Sequence, residues 1–152
     1  MSERDFYTFR EYMRKDDELT ASMEDYLEMI YRLSQTDGFT RIHDLAEALN
    51  VQPPSATKMV QKLADIDVVA YRKYGVVVLN EKGMKLGQAL MARHQVVEDF
   101  LRIIGISENL LEETEKIEHT ISPTTLTSLA SLVEFFRARP SLLIELEKSL
   151  KK

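Results

Sequence analysis

The sequence predicts a mainly α-helical protein that contains one small β-hairpin and is organised in two domains. Apolar residues recur at helical spacing through most of the 152 residues. One short stretch rich in β-branched and aromatic residues interrupts this pattern, and only helical spacing follows it. A chain of this length can bury one good core or two small ones without a disulfide or a structural metal.

The first predicted helix spans residues 21–36, because Met23, Leu27 and Ile30 lie at helical spacing. The dipeptide Asp37-Gly38 marks its end. A charged extension that contains several aromatic residues precedes this helix and predicts a short helix or a loose arm.

Two short helices joined by a tight turn are predicted next. The first begins at Ile42 and ends near Asn50, and the second runs from about Pro54 to Asp65. Proline is tolerated in the first turn of a helix, where its missing N–H would have no partner in any case. This arrangement is the helix-turn-helix pattern.

Residues 68–79 predict a two-stranded hairpin with its turn at Lys73 to Gly75. A basic hairpin directly after a helix-turn-helix is typical of a wing. The first domain is therefore interpreted as a winged helix-turn-helix.

The second half of the chain predicts helices only. A long helix runs from Glu81 to about residue 104 and ends at Gly105. Three further helices are predicted at residues 109–120, 123–138 and 141–150. The predicted organisation is an N-terminal extension at 1–19, a winged helix-turn-helix domain at 20–82 and an all-helical domain at 83–152.

The charge distribution favours nucleic acid as a partner of the first domain. The net charge of −5 argues against DNA binding when taken alone, since phosphates are bound by Lys and Arg. Residues 41–85, however, hold seven basic and five acidic residues, whereas the remainder holds 13 basic and 20 acidic residues.

The second helix of the motif presents short hydroxyls, amides and lysines, the groups that reach base edges and phosphates. An ordinary amphipathic helix with a solvated polar face would look similar, but the adjacent basic wing favours DNA binding. The predicted DNA-contacting residues are Arg41, Gln52, Ser55, Thr57, Lys58, Lys62, Arg72 and Lys73.

A second group of residues has the types and spacing of metal ligands. Asp25 and Glu28 are three residues apart on one helix face, and Glu115, Glu118 and His119 share a face of another. His94 lies in the long helix. Because cysteine is absent, any metal would be bound by nitrogen and oxygen. Spacing alone leaves open that these residues are solvated helix charges.

The combined motifs resemble the diphtheria-toxin-repressor family of metal-dependent repressors, and within it the manganese-responsive regulators. The resemblance covers roughly residues 20–147. Its motifs are SMEDYLEMIY (22–31), DLAEALNVQPPSATKMVQKL (44–63), RKYGVVVLNEKG (72–83), ARHQVVEDFLRIIG (92–105) and EKIEHTIS (115–122).

The resemblance implies a site for two Mn²⁺ ions in each subunit. Its ligands fall on Asp25, Glu28, His94, Glu115, Glu118 and His119. By the same resemblance Glu115 and Glu118 bridge the ions, Asp25 and His94 complete one site, and Glu28 and His119 complete the other. Iron-responsive relatives place Met and Cys where this chain has Asp25 and Glu118, and the carboxylates favour the harder Mn²⁺.

We therefore expect a cytoplasmic, homodimeric repressor that binds palindromic promoter DNA when Mn²⁺ is present and controls metal-uptake genes, with no membrane or small organic substrate as partner. The dimer is expected to form through the C-terminal half, where the apolar surface exceeds what so few helices bury; its residues are Leu129, Leu132, Val133, Phe135 and Phe136.

Three alternatives remain open: a repressor that responds to iron or zinc, a two-metal carboxylate enzyme, and a helical partner-binding module. The enzyme would need a substrate pocket and a general base, for which the sequence offers no residue beyond the ligands.

Overall fold

The computed structural model describes residues 19–151, which divide into two compact units, 19–90 and 91–151. All but the last residue of the predicted N-terminal extension lie outside the described residues. No helix in the described part is long and apolar enough to cross a membrane.

Helix α1 spans Ala21–Leu33 and begins at Thr20, whose side chain accepts a hydrogen bond from the Met23 amide. The sequence predicted a helix that continues to residue 36, and this was wrong by three residues. The chain leaves the helix at Ser34 because the Gly38 amide donates to the Ser34 carbonyl and closes a turn. Gly38 has a positive φ of 79°, which glycine adopts without strain.

The predicted helix-turn-helix is present. Helix α2 spans Ile42–Leu49 and ends at Asn50, which adopts the left-handed conformation typical of a helix C-terminus. Helix α3 spans Pro53–Asp65 and has proline in its first turn.

The predicted wing is present, but its sheet has a third strand that the sequence did not reveal. Strands β2 (Val69–Arg72) and β3 (Val76–Leu79) form the hairpin, joined by a turn at Lys73–Gly75. Strand β1 (Thr40–Arg41) pairs with the other edge of β3, giving the antiparallel order β1-β3-β2. Because β1 directly precedes α2, it ties the wing to the helix-turn-helix.

The core of residues 19–90 is formed by α1, α2, α3, the sheet and the beginning of α4, which spans Glu81–Ile103. Glycine permits α4 to approach this core closely. A Cβ atom at Gly87 would lie 2.6 Å from the Tyr31 Cβ, and one at Gly83 would collide with the Val68 carbonyl oxygen. The start of the long helix is thus held by backbone contacts that a larger residue would prevent.

Residues 91–151 contain the rest of α4 and helices α5 (Leu110–Glu118), α6 (Pro123–Arg137) and α7 (Pro140–Leu150). Ser122 caps α6 by accepting a hydrogen bond from the Thr125 amide, as its position before proline predicted. The core of this unit centres on four buried residues: Val96, Val97, Leu101 and Leu126.

Candidate metal centre and nucleic-acid interface

Helix α3 separates an apolar face from a polar one. Ala56, Val60 and Leu63 are fully buried in the first core, which orients the rest of the helix outward. Of the eight predicted DNA-contacting residues, only Thr57 is partly buried. The others are exposed: Arg41, Gln52, Ser55, Lys58, Lys62, Arg72 and Lys73.

The register of the sheet brings two of the predicted arginines to one face of the wing. Arg41 on β1 and Arg72 on β2 are both partners of Val76 on the central strand. Directly paired residues point to the same side of an antiparallel sheet, and strands are about 4.8 Å apart. The two arginines therefore emerge from one face, about 10 Å apart. This pairing depends on β1, which the sequence pattern did not indicate.

The tip of the wing carries a residue that the sequence analysis missed. Tyr74 follows Arg72 and Lys73 and is 90% exposed. Its φ of 64° and ψ of 28° lie in the left-handed region, which is costly for a residue with a large side chain. The sequence shows that Tyr74 follows two cations, but an aromatic residue at this position is also typical of a β-strand. The pattern therefore did not single it out as a DNA-contacting residue.

Within the part of the chain that the structure describes, the cations of α3 and the wing have no carboxylate counter-ion. Among residues 19–151, none of Lys58, Lys62, Arg72 and Lys73 forms an ion pair with a carboxylate. Their charge is therefore available to an anionic partner, and DNA phosphates have the matching chemistry.

Two of the predicted metal ligands lie on α1. Asp25 and Glu28 are both partly buried and share one face of the helix, as their three-residue spacing predicted. Glu28 accepts a hydrogen bond of 2.9 Å from Arg32, one turn further along. Both carboxylates belong to residues 19–90.

The strongest feature of residues 91–151 is a buried histidine–glutamate pair. His94 Nδ1 lies 2.9 Å from Glu118 Oε2, and the two residues are 8% and 2% exposed. Burial of a carboxylate is costly unless it is compensated by a hydrogen bond or a cation. Adjacent ligands of an octahedral ion bound at about 2.1 Å lie about 3 Å apart, so this pair fits a common ion with little movement.

His119 and Glu115 lie on the same segment as Glu118. His119 Nε2 is 3.6 Å from Glu118 Oε1, and His119 Nδ1 faces the Arg93 guanidinium at 3.3 Å. Glu115, one turn before Glu118 on α5, is exposed. Glu118 therefore contacts both His94 and His119, which brings three of the predicted ligands together. Glu115 lies one helical turn before Glu118.

The cations of residues 91–151 are arranged differently from those of the wing. Arg102 donates to Glu98 at 2.8 Å, and Arg137 contacts Asp99 and Glu134. These pairs neutralise charge within the unit. Lys116 is paired in the same way. Its side-chain hydrogen bond to Glu112, and then the one to Glu113, raise the pKa of Lys116 above its ordinary value.

Several large apolar side chains remain exposed on the C-terminal helices, among them Leu111, Leu132, Phe135, Ile144 and Leu150. Of the five residues that the sequence assigned to a dimer surface, Leu132 and Phe135 are exposed. Val133 is only 3% exposed and belongs to the interior of its own unit, so its assignment to the surface was wrong.

Two family models match the chain. The one described as "Iron dependent repressor, N-terminal DNA binding domain" matches residues 18–77. The one described as "Iron dependent repressor, metal binding and dimerisation domain" matches residues 80–142. Together these matches include the helix-turn-helix, most of the wing and the histidine–glutamate cluster.

Curated relatives agree with these matches. The chain is 48% identical over 119 residues to the HTH-type transcriptional regulator MntR of Geobacillus kaustophilus, covering 78% of this chain and 84% of that protein. It is 47% identical over 118 residues to MntR of Bacillus subtilis, covering 77% of this chain and 83% of that protein.

The fold is similar to that of the solved manganese regulator SloR, with a TM-score of 0.67 and 32% sequence identity. The match covers 77% of this chain and 55% of the SloR chain, so this chain spans little more than half the length of that regulator.

Proposed function

Because this chain belongs to the iron-dependent repressor family of DNA-binding transcriptional regulators, we propose that it is a manganese-dependent repressor of genes for metal-ion uptake. The family also decides between two of the classes that the sequence left open: the chain is a regulator and not an enzyme. The metal is then an allosteric effector, and no substrate is required.

The observation that carries the metal assignment is the buried contact between His94 and Glu118 at 2.9 Å. Six residues of the chain would hold two ions, and they are Asp25, Glu28, His94, Glu115, Glu118 and His119. Their donor atoms are carboxylate oxygens and imidazole nitrogens, which suit Mn²⁺ better than sulfur does. The same atoms also bind Zn²⁺ and Fe²⁺, so these metals are the competing effectors.

Recognition of DNA is assigned to α3 and the wing. Gln52, Ser55, Thr57, Lys58 and Lys62 would face base edges and phosphates in the major groove.

At the wing, Arg41, Arg72 and Lys73 would contact the neighbouring backbone. We add Tyr74 to this set, because it follows Arg72 and Lys73 at the tip of the wing and its side chain is almost fully exposed.

The family's metal-binding and dimerisation domain makes a homodimer the functional unit. Two copies of α3 related by a twofold axis would read a palindromic operator, which we place in the cytoplasm with the rest of the transcription machinery. Metal binding would favour the arrangement in which both helices fit adjacent half-sites, so that the energy of metal binding is coupled to DNA affinity.

The function is tested with a labelled palindromic DNA taken from the promoter of a metal-uptake gene and titrated with the full chain. We expect tight binding with Mn²⁺ and weak, salt-sensitive binding without metal. Equal binding in both conditions would mean that the protein binds DNA but that metal does not control this binding. Activation by Zn²⁺ or Fe²⁺ and not by Mn²⁺ would replace the proposed effector.

The metal preference is tested at Asp25. Replacing it with Met exchanges a charged oxygen ligand for a neutral sulfur, so the response to Mn²⁺ should weaken about tenfold relative to Fe²⁺ or Co²⁺. Operator binding is measured anaerobically across the three metals for wild type and Asp25→Met. Identical metal profiles would remove Asp25 from the ligand set.

The dimer is tested by sedimentation of the full chain at micromolar concentration. Phe135 and Leu132 are exposed on α6, and a second copy of the chain would cover them. We expect a dimer with and without metal. A monomer in both conditions would contradict the assignment.

A further inference from the structure

Arg93 contacts a proposed metal ligand although it is not itself a ligand. It precedes His94 on α4, and its guanidinium Nη2 lies 3.3 Å from His119 Nδ1 in a partly buried contact. The two residues are 26 positions apart, so the contact is made by the fold of residues 91–151 and not by local sequence.

The chemistry of arginine assigns the proton of His119. An arginine side chain can only donate hydrogen bonds, so the Nδ1 atom that faces it must carry a lone pair. In the neutral imidazole the proton is then on Nε2, which faces the Glu118 carboxylate at 3.6 Å. Both nitrogens of His119 therefore face a charged side chain.

Metal binding by His119 requires that the hydrogen bond from Arg93 be broken, whichever nitrogen binds the ion. If Nδ1 is the ligand, the ion takes the lone pair that Arg93 uses. If Nε2 is the ligand, its proton moves to Nδ1 in the neutral metal-bound ring, and Nδ1 then accepts nothing from Arg93. The guanidinium also places a fixed positive charge beside His119, and this charge repels any metal ion that binds there.

From this geometry we infer that Arg93 is a positioning residue whose hydrogen bond to His119 competes with the ion and thereby sets the Mn²⁺ concentration at which the protein responds. The inference rests on the proposed function, since it takes His119 as a ligand. The hydrogen bond from Arg93 also satisfies His119 Nδ1 in a partly buried position. Its loss should accordingly weaken the metal-free fold and strengthen metal binding.

These opposite effects separate this role from a purely structural one. A residue that only supports the fold would weaken metal binding when replaced, because the ligands would be less well ordered. Arg93→Met, which removes the charge and the donor, should instead bind Mn²⁺ about tenfold more tightly, while its metal-free form melts at a lower temperature.

The experiment uses the full chain and measures the Mn²⁺ affinity by competition with a chelating dye, and the metal-free melting temperature by circular dichroism. Arg137→Met is the matched control, because Arg137 lies in the same unit and its partners Asp99 and Glu134 are not proposed metal ligands. It should leave the Mn²⁺ affinity unchanged. Arg93→Met that is folded and binds Mn²⁺ as wild type does, or more weakly, overturns the inference.

If Arg93→Met does not fold, Arg93→Lys is measured in its place. Lysine keeps the charge but not the planar fork of donors, so a smaller gain in Mn²⁺ affinity is expected. No gain with this variant would overturn the inference in that case.

The tautomer gives a second, independent measurement. The chain has three histidines, so the imidazole ¹⁵N signals of the metal-free protein can be assigned with His43→Gln and His119→Gln. We expect the Nε2-protonated tautomer for His119 in wild type and a mixture of tautomers in Arg93→Met. The Nδ1-protonated tautomer in wild type would overturn the inference.

Measuring wild type in parallel shows whether only the role of Arg93 fails or the proposed function fails as well. If wild type binds Mn²⁺ and then DNA, but Arg93→Met shows no gain, only the role of Arg93 is lost. If wild type binds no Mn²⁺, the proposed function and the role of Arg93 both fall.

Discussion

Lys58 and Lys62 on α3 face solvent without a carboxylate partner among residues 19–151, whereas in residues 91–151 Arg102 pairs with Glu98 and Arg137 pairs with Asp99 and Glu134. The first pair of cations is left for an external anion, and the second is neutralised inside its own unit. The comparison explains how a chain of net charge −5 can belong to a DNA-binding family. Pairing, and not the number of cations, decides which surface attracts phosphate.

The largest effect is expected at Glu118, a buried carboxylate, in contrast to carboxylates such as Glu112 that form exposed ion pairs. Glu118→Gln keeps the shape of a side chain that is 2% exposed but removes its charge, so Mn²⁺ affinity should fall about a hundredfold and operator binding should lose its metal response.

Glu112→Gln on the same helix is the control for this variant. It breaks only an exposed pair with Lys116, a contact of the kind that water and salt screen strongly. Mn²⁺ affinity is measured for both variants. Equal losses would mean that burial does not distinguish the two carboxylates.

The next effect tests the contrast between cations directly. Lys58→Ala should weaken operator binding about five- to tenfold and reduce the slope of log affinity against log salt by about one, because one phosphate contact is lost. Mn²⁺ affinity should not change.

Lys116→Ala removes the same charge from a lysine that pairs with Glu112 at 3.1 Å. We expect neither the affinity nor the salt slope to change. If the two variants weaken operator binding equally, the effect comes from net charge, and the contrast between paired and unpaired cations is wrong.

The smallest effect is expected at the tip of the wing. Tyr74 has a φ of 64° and is 90% exposed. Tyr74→Gly removes the cost of the left-handed conformation and loses little packing, so the free energy of unfolding should rise by up to about 1 kcal/mol. Operator binding should weaken about threefold, because the ring is lost.

Tyr74→Ala is the matched variant for this prediction, since it loses the ring but keeps a Cβ at positive φ. It should weaken operator binding as Tyr74→Gly does, without the gain in stability. Urea denaturation and operator titration measure the two effects. Full operator affinity in both variants would show that Tyr74 does not contact DNA.

Local sequence signals determined the helices and the wing of this protein. The Ser122-Pro123 start of α6, Asn50 at the end of α2 and the turn at Lys73–Gly75 all lie where they were predicted. Each signal acts within a few residues, through a cap, a fixed proline φ or a left-handed residue, so the neighbouring sequence is sufficient. The absence of cysteine likewise limited the metal-ligand types before any fold was known.

Only the tertiary structure decided which distant residues meet. Strand β1 has two residues, too few for an alternating pattern, and it forms because β3 has an open edge beside it. The contacts of His94 with Glu118 and of Arg93 with His119 join residues 24 and 26 positions apart. The sequence supplied the chemical types of these side chains, but the packing of α4 against the end of α5 set their distances. A periodic pattern describes one helix face at a time, and it does not contain the position of the second helix.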